Sequence, residues 1–236
     1  MRNLSEMIYR EDLYGKKGIL IINLKNYMET AGDNTIKIAK DAENVSKETG
    51  VEIIISPPQP SLALLAKQTK LKVIAQHIDL KKSGATTGYY IAELIEKIGA
   101  YGSLINHSEH QVEMDEMRRS IEKLKELGLK SFVCTKTIKE LKEIITLKPD
   151  IVAIEPPELI GTKKSISSEN PILIRECYDA IRKDAQDLQL VCGAGINTKE
   201  DIEIALENGA TGILVSSSIT KSNDWYNKIY ELASAF

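Results

Sequence analysis

The sequence has no run approaching the roughly 18–20 consecutive apolar residues of a helical membrane span, so no membrane partner is expected. It has no excess of positive charge either. The 31 Lys and Arg stand against 34 Asp and Glu, for a formal net charge of -3. The basic pairs Lys16-Lys17, Lys81-Lys82 and Lys163-Lys164 are short and scattered. That leaves no electrostatic footprint for nucleic acid. Cysteine is scarce: Cys134, Cys177 and Cys192 are odd in number and widely spaced. They give neither a disulfide framework nor zinc-ligand spacing, so no metal is expected, and a reducing compartment suits them. Residues 1–12 carry acids and no apolar core, unlike a signal peptide. The cytoplasm is the expected location by elimination. No Gly-rich dinucleotide turn follows the first apolar run, which disfavours an open doubly wound sheet.

What the chain does have is alternation. Eight short apolar runs recur along it: Ile19–Ile22, Val51–Ile55, Leu71–Ala75, Ser103–Ile105, Ser131–Cys134, Ile151–Ile154, Leu188–Cys192 and Gly212–Val215. They are too continuous for strands with one solvated face, and read as parallel strands buried on both. Longer amphipathic segments separate them. Thr35 to Lys47, Met114 to Leu127, Ile138 to Leu147 and Ser222 to Ala235 read as helices, with Gly128 stopping the second and Pro149 following the third. Asn197 is expected to cap the seventh helix with Glu200 as its capping-box partner. Eight strand–helix units in this length predict an α/β fold, a closed (β/α)8 barrel of parallel strands with outer helices, over residues 19–236. Residues 1–18 are expected to be an N-terminal extension or edge cover.

Polar residues collect just after the strands, and in a barrel these ends converge on one mouth. Lys25 is either a solvated lysine at a strand end or a positive group facing an anionic substrate or developing oxyanion. Asn23, two positions earlier on the same side of the strand, either donates into that site or fixes Lys25. His107 is either a satisfied polar residue or an electrophile. Ser108-Glu109-His110 reads as a helix start, whose positive dipole end favours the neutral imidazole. Glu109 is either an ion partner for Lys25 or a first-turn glutamate. Glu155 ends a buried strand, where an unpaired carboxylate costs desolvation. Pro156-Pro157 stiffen the exit, and Leu159-Ile160-Gly161 form an apolar tip suited to a water-excluding lid. Glu158 is the alternative carboxylate, facing solvent. Gly193-Ala194-Gly195 and Ser216-Ser217 are either two tight turns or a cradle of backbone amides for phosphate.

Several runs, in order, resemble those of the triosephosphate isomerase family of the short archaeal type. They are Asn23-Leu24-Lys25, Ala75-Gln76-His77, Asn106-His107-Ser108-Glu109, Glu155 through Thr162, Cys192 through Ile196, and Gly212 through Ser217. The resemblance implies an aldose–ketose isomerase acting on a small phosphorylated triose through an enediolate, without a cofactor. It implies Glu155 as base, His107 as electrophile and Lys25 as the cation, with Glu109 in support. Asn23, Leu24, Ile160, Gly161, Gly193, Ala194, Gly195, Ser216 and Ser217 fall in its substrate-binding runs. It also implies a homodimer or homotetramer, with residues 83–89 in the subunit contact. An isomerase or aldolase-like enzyme on another sugar phosphate, and a retired barrel kept for binding, stand as alternatives. The chain departs from the family at Lys163 and Ser218, where glycine is usual, at Ala92, where proline is usual, and at Cys134-Thr135-Lys136.

Overall fold

The computed structural model of the protein describes residues 18–162 and 164–236. Apart from Gly18, the expected N-terminal cover lies outside the described residues, as does Lys163. Eight strands form in sequence order: β1 (Ile19–Asn23), β2 (Glu52–Ser56), β3 (Lys72–Ala75), β4 (Gly102–Ile105), β5 (Lys130–Thr135), β6 (Ile151–Ile154), β7 (Gln189–Cys192) and β8 (Gly212–Val215). They join into one closed parallel barrel. The ring closes where β8 pairs with β1, Gly212 opposite Ile19 and Val215 opposite Ile22.

Alternation along each strand divides the core in two. Ile21, Ile54, Ile74, Leu104, Phe132, Ala153, Val191 and Leu214 fill the inside of the barrel. Their neighbours, such as Leu20, Ile22, Ile55 and Val133, pack outward against the helices. This is why the strands are apolar at every position. Phe132, fully buried, meets Tyr101 edge-on with ring centroids 6.3 Å apart. Burial of one such side chain contributes roughly 1.5–3 kcal/mol.

The helices follow local rules. α1 (Asp33–Thr49) buries Ile38, Ala42 and Val45 on one stripe. It stops at Gly50, whose φ of 75° is the left-handed C-terminal conformation that glycine adopts without a Cβ penalty. α2 (Gln59–Gln68) and α3 (Ala92–Lys97) follow β2 and β3, while α4 (Met114–Glu126) and α5 (Ile138–Ile145) follow β4 and β5. After β6 come α6 (Ile166–Glu169) and α7 (Pro171–Asp184), after β7 α8 (Lys199–Glu207), and after β8 α9 (Ser217–Thr220) and α10 (Trp225–Ala233).

Three local expectations need correction. The seventh helix is capped by Thr198, not Asn197, and Asp201, not Glu200, completes the capping box. Ser108-Glu109-His110 is a turn and not a helix start, closed by the His110 N–H donating to the His107 carbonyl at 2.8 Å. The final helix is shorter than Ser222 to Ala235, because the Asp224 carboxylate accepts from the Asn227 amide and begins it at Trp225. The loop expected to meet a second subunit is exposed from Lys81 to Tyr89. Its base is closed by a double bond: the Asp79 amide donates to the Tyr90 carbonyl at 2.8 Å, and the Tyr90 amide to Asp79 Oδ2 at 2.7 Å.

Candidate active site at the barrel mouth

The inward register of the strands continues past their ends and supplies the site. Two residues beyond inward Ile21 stands Asn23; beyond Ile74, Gln76; beyond Ala153, Glu155; beyond Val191, Gly193; beyond Leu214, Ser216. The period of two turns the same face that buries the core into a ring of polar groups at the C-terminal rim. The Glu155 and Gly193 amides still donate to the neighbouring strands, to Thr135 O at 2.8 Å and Ile154 O at 3.0 Å. The backbone carrying these groups is therefore as fixed as the barrel.

Lys25 has φ of 47°, a left-handed conformation that costs a non-glycine residue about 1–3 kcal/mol. Two side chains hold it there. Asn23 Oδ1 accepts from the Lys25 amide at 2.9 Å, and Gln76 Nε2 donates to the Lys25 carbonyl at 3.0 Å and to Asn23 Oδ1 at 3.3 Å. Asn23 thus fixes Lys25, besides lining the cleft. The ammonium reaches Glu109 Oε1 at 2.8 Å, so Glu109 is its ion partner.

Glu109 also acts on His107, through its backbone. Its amide donates to His107 Nδ1 at 3.2 Å, while its carboxylate stays 3.6 Å from the same nitrogen, beyond hydrogen-bond reach. An Nδ1 that accepts carries no proton, which leaves the ring proton on Nε2. Nε2 faces Glu155 Oε2 at 3.6 Å. The turn thus orients the ring through one backbone amide, with no helix dipole at this position. Asn106, with φ of 61°, introduces this turn, its side chain donating to the Cys134 carbonyl at 3.0 Å and to Glu140 Oε1 at 3.1 Å.

Glu155 is buried, and its Oε2 has no hydrogen-bond partner among the described residues. Burial pushes its pKa up; nearby His107, a hydrogen bond from the Cys134 thiol, and Lys25 pull it partly back, and Glu109 adds to the rise. The net effect is a carboxyl held above its ordinary value. Room for its side chain comes from Gly193, where a Cβ would lie 2.6 Å from Glu155 Oε1 and 2.7 Å from Cγ.

These groups line one cleft at the barrel mouth. Ile160, Gly161 and Thr162 line it too, as do Ala194 to Asn197 and Leu214 to Ser218. Ala194 and Gly195 both have positive φ, 72° and 71°. The first hydrogen bonds of α9 run from the Ile219 and Thr220 amides to Ser216 O, at 3.0 and 2.9 Å. The Ser217 and Ser218 amides stand ahead of them. The hydroxyls of Ser216 and Ser218 are buried without partners among the described residues. Such an end, with amides and hydroxyl groups, suits an anion.

The sequence-predicted residues thus mostly converge, with three exceptions of placement. Leu24 is fully buried in the outer shell, so its side chain is turned from the cleft. Gly193 lies beneath Glu155, and Glu109 sits behind Lys25 and His107. Cys134 and Gln76 were not singled out as site residues. Both occupy the inward register, and that period was the signal that could have found them.

Comparison with known proteins bears on the same residues. The family model described as triosephosphate isomerase matches residues 18–233. The triosephosphate isomerase of Cenarchaeum symbiosum (strain A) is 46% identical over 217 residues, covering 92% of this chain and 97% of the relative. That of Methanobacterium bryantii is 39% identical over 216 residues, with 92% and 96% covered. That of Sulfolobus acidocaldarius is 41% identical over 209 residues, with 89% and 90% covered. The closed barrel, its mouth and these matches along almost the whole described chain give one conclusion: the chain belongs to the triosephosphate isomerase family.

Proposed function

We propose that the protein interconverts glyceraldehyde 3-phosphate and dihydroxyacetone phosphate. The observation that carries this reading is the buried Glu155 Oε2, unpartnered among the described residues, facing His107 Nε2 at 3.6 Å, with Lys25 and an anion-suited turn lining the same cleft. Family membership supports a small phosphorylated sugar as substrate and isomerisation as the reaction.

Glu155 takes a proton from the carbon beside the carbonyl. The electron pair moves into a carbon–carbon double bond, and the carbonyl oxygen gains negative charge. His107 Nε2–H donates to the two oxygens of the resulting enediolate, and the Lys25 ammonium stabilises the same charge. The hydroxyl proton passes from one oxygen to the other by way of His107, and Glu155, now protonated, returns its proton to the neighbouring carbon, which completes the exchange of aldehyde and ketone. The amides of Gly195, Ser216 and Ser217 hold the phosphate, with Ile160 and Gly161 closing over it. Closure keeps water from the enediolate, which otherwise eliminates its phosphate.

A panel of aldose phosphates tests this. Glyceraldehyde 3-phosphate is expected to give the highest kcat/KM, measured by a coupled assay. Faster turnover of a four- or five-carbon phosphate contradicts the assignment and favours another sugar phosphate isomerase.

A further inference from the structure

The loop after β6 and the turn after β7 meet at one carboxylate that the mechanism above does not use. Asp201 stands in the first turn of α8 and completes the capping box with Thr198. A capping box needs only local partners. Asp201 Oδ2 has these: it accepts from the Asn197 amide at 2.9 Å, the Thr198 amide at 2.9 Å and the Thr198 hydroxyl at 3.0 Å. Oδ1 does something else. It accepts from the Ser165 hydroxyl at 2.5 Å, 36 residues away in sequence.

Ser165 is buried at the end of the loop that begins with Glu155. Its hydroxyl also accepts from the Ser168 amide at 3.0 Å, which caps α6. Asn197 lines the cleft. The two oxygens of one carboxylate therefore hold two different walls. The seam between them is tight elsewhere too. The Ile166 amide donates to Ala194 O at 3.1 Å, and Gly195 packs so closely on the Lys164 carbonyl that a Cβ would overlap it. Burial pushes the Asp201 pKa up, but the bonds from Ser165, Asn197 and Thr198 together outweigh it and hold it below the ordinary value. Asp201 thus remains an acceptor at neutral pH.

We infer that Asp201 is a positioning residue for the reaction: its carboxylate ties the far end of the Glu155 loop to the phosphate-side turn, so that Ile160–Gly161 and Ala194–Gly195 enclose one substrate together. This rests on the proposed reading of the cleft. With the tie cut, each wall takes its position independently and the enediolate meets water. Its carbon–oxygen bond to phosphate then breaks. The enediolate electron pair drives out inorganic phosphate, which leaves with the bonding pair, and the remaining enol becomes a 2-oxo aldehyde.

The test uses the full chain with Asp201→Asn, Ser165→Ala and the double variant. Asn places an N–H where donors converge; Ser165→Ala cuts the long-range bond together with the cap of α6, and keeps the capping box of α8. Three quantities are read: kcat/KM for glyceraldehyde 3-phosphate, inorganic phosphate released per turnover, and the Kd of inorganic phosphate by titration. The expected result in each single variant is about a 10-fold rise in Kd and in the fraction of turnovers ending in phosphate release. The double variant is expected to be no worse than the worse single, since both cut one link. Wild-type Kd and wild-type phosphate release in folded Ser165→Ala overturn the inference, as do additive effects in the double. Phosphate binding is read without turnover. A wild type that fails to turn over triose phosphates therefore contradicts the proposed function and leaves the link independently measured.

Discussion

Glu155 is a carboxylate in a place that opposes its charge. Burial raises its pKa, and His107, the Cys134 thiol and Lys25 return part of what burial takes. A folded pKa above the unfolded one means that the native state binds the extra proton. Stability contributed by that group therefore falls as pH rises through the window between the two values. In the proposed reaction activity runs the other way, because a general base acts only when ionised. The acid limb of kcat/KM is expected above the ordinary glutamate range of about 4.3. Cys134→Ala removes a donor that favours the ionised form, so the limb is expected to move further up. Cys134→Ser, which keeps a donor, is expected to leave it near wild type. A pH profile of kcat/KM reads all three proteins; a limb unmoved by Cys134→Ala contradicts the role given to the thiol.

At the scale of elements, the site is made by strands continuing past their hydrogen-bonded ends. The strands were legible because burial on both faces makes every position apolar, and the polar residues that follow stand out against that run. Glu155, His107 and Lys25 were legible for this reason. The contact of Cys134 with Glu155 was not. It runs between β5 and β6, where Cys134 pairs with Ala153, and no local pattern carries a register between strands. The cap of α8 is ambiguous by one residue in the sequence, because Asn197-Thr198-Lys199-Glu200-Asp201 satisfies the capping pattern in two frames. The frame adopted also gives Asp201 its distant partner Ser165, which the local sequence cannot display. The turn at Ser108–His110 looked like a helix start because polar first-turn residues suit both. Three residues are too few to offset the cost of nucleating a helix. Gly193→Ala puts a Cβ 2.6–2.9 Å from the Glu155 carboxyl group and its Cγ, too close for both to stay. If Glu155 is the base as proposed, displacing it by about 1 Å is expected to lower turnover about 100-fold. Turnover near wild type in the coupled assay contradicts the tight fit.

For the whole molecule, closure of the ring is what brings residues as distant as Lys25 and Ser216 to one mouth. The interior below them is filled by side chains, so the cleft is a shallow end and not a pore. Strain is concentrated at that end: Lys25, Asn106 and Ala194 are three of the four non-glycine residues with positive φ among the described residues. A rigid barrel below and hydrogen-bonded turns above hold them there. The central claim is that this mouth moves a proton through Glu155. Turnover of glyceraldehyde 3-phosphate by wild type against Glu155→Asp tests it most directly. The shorter acid leaves the charge in place and withdraws the base by about 1 Å, so a loss of ~100-fold or more is expected. Equal rates would contradict the assignment of Glu155 as the base.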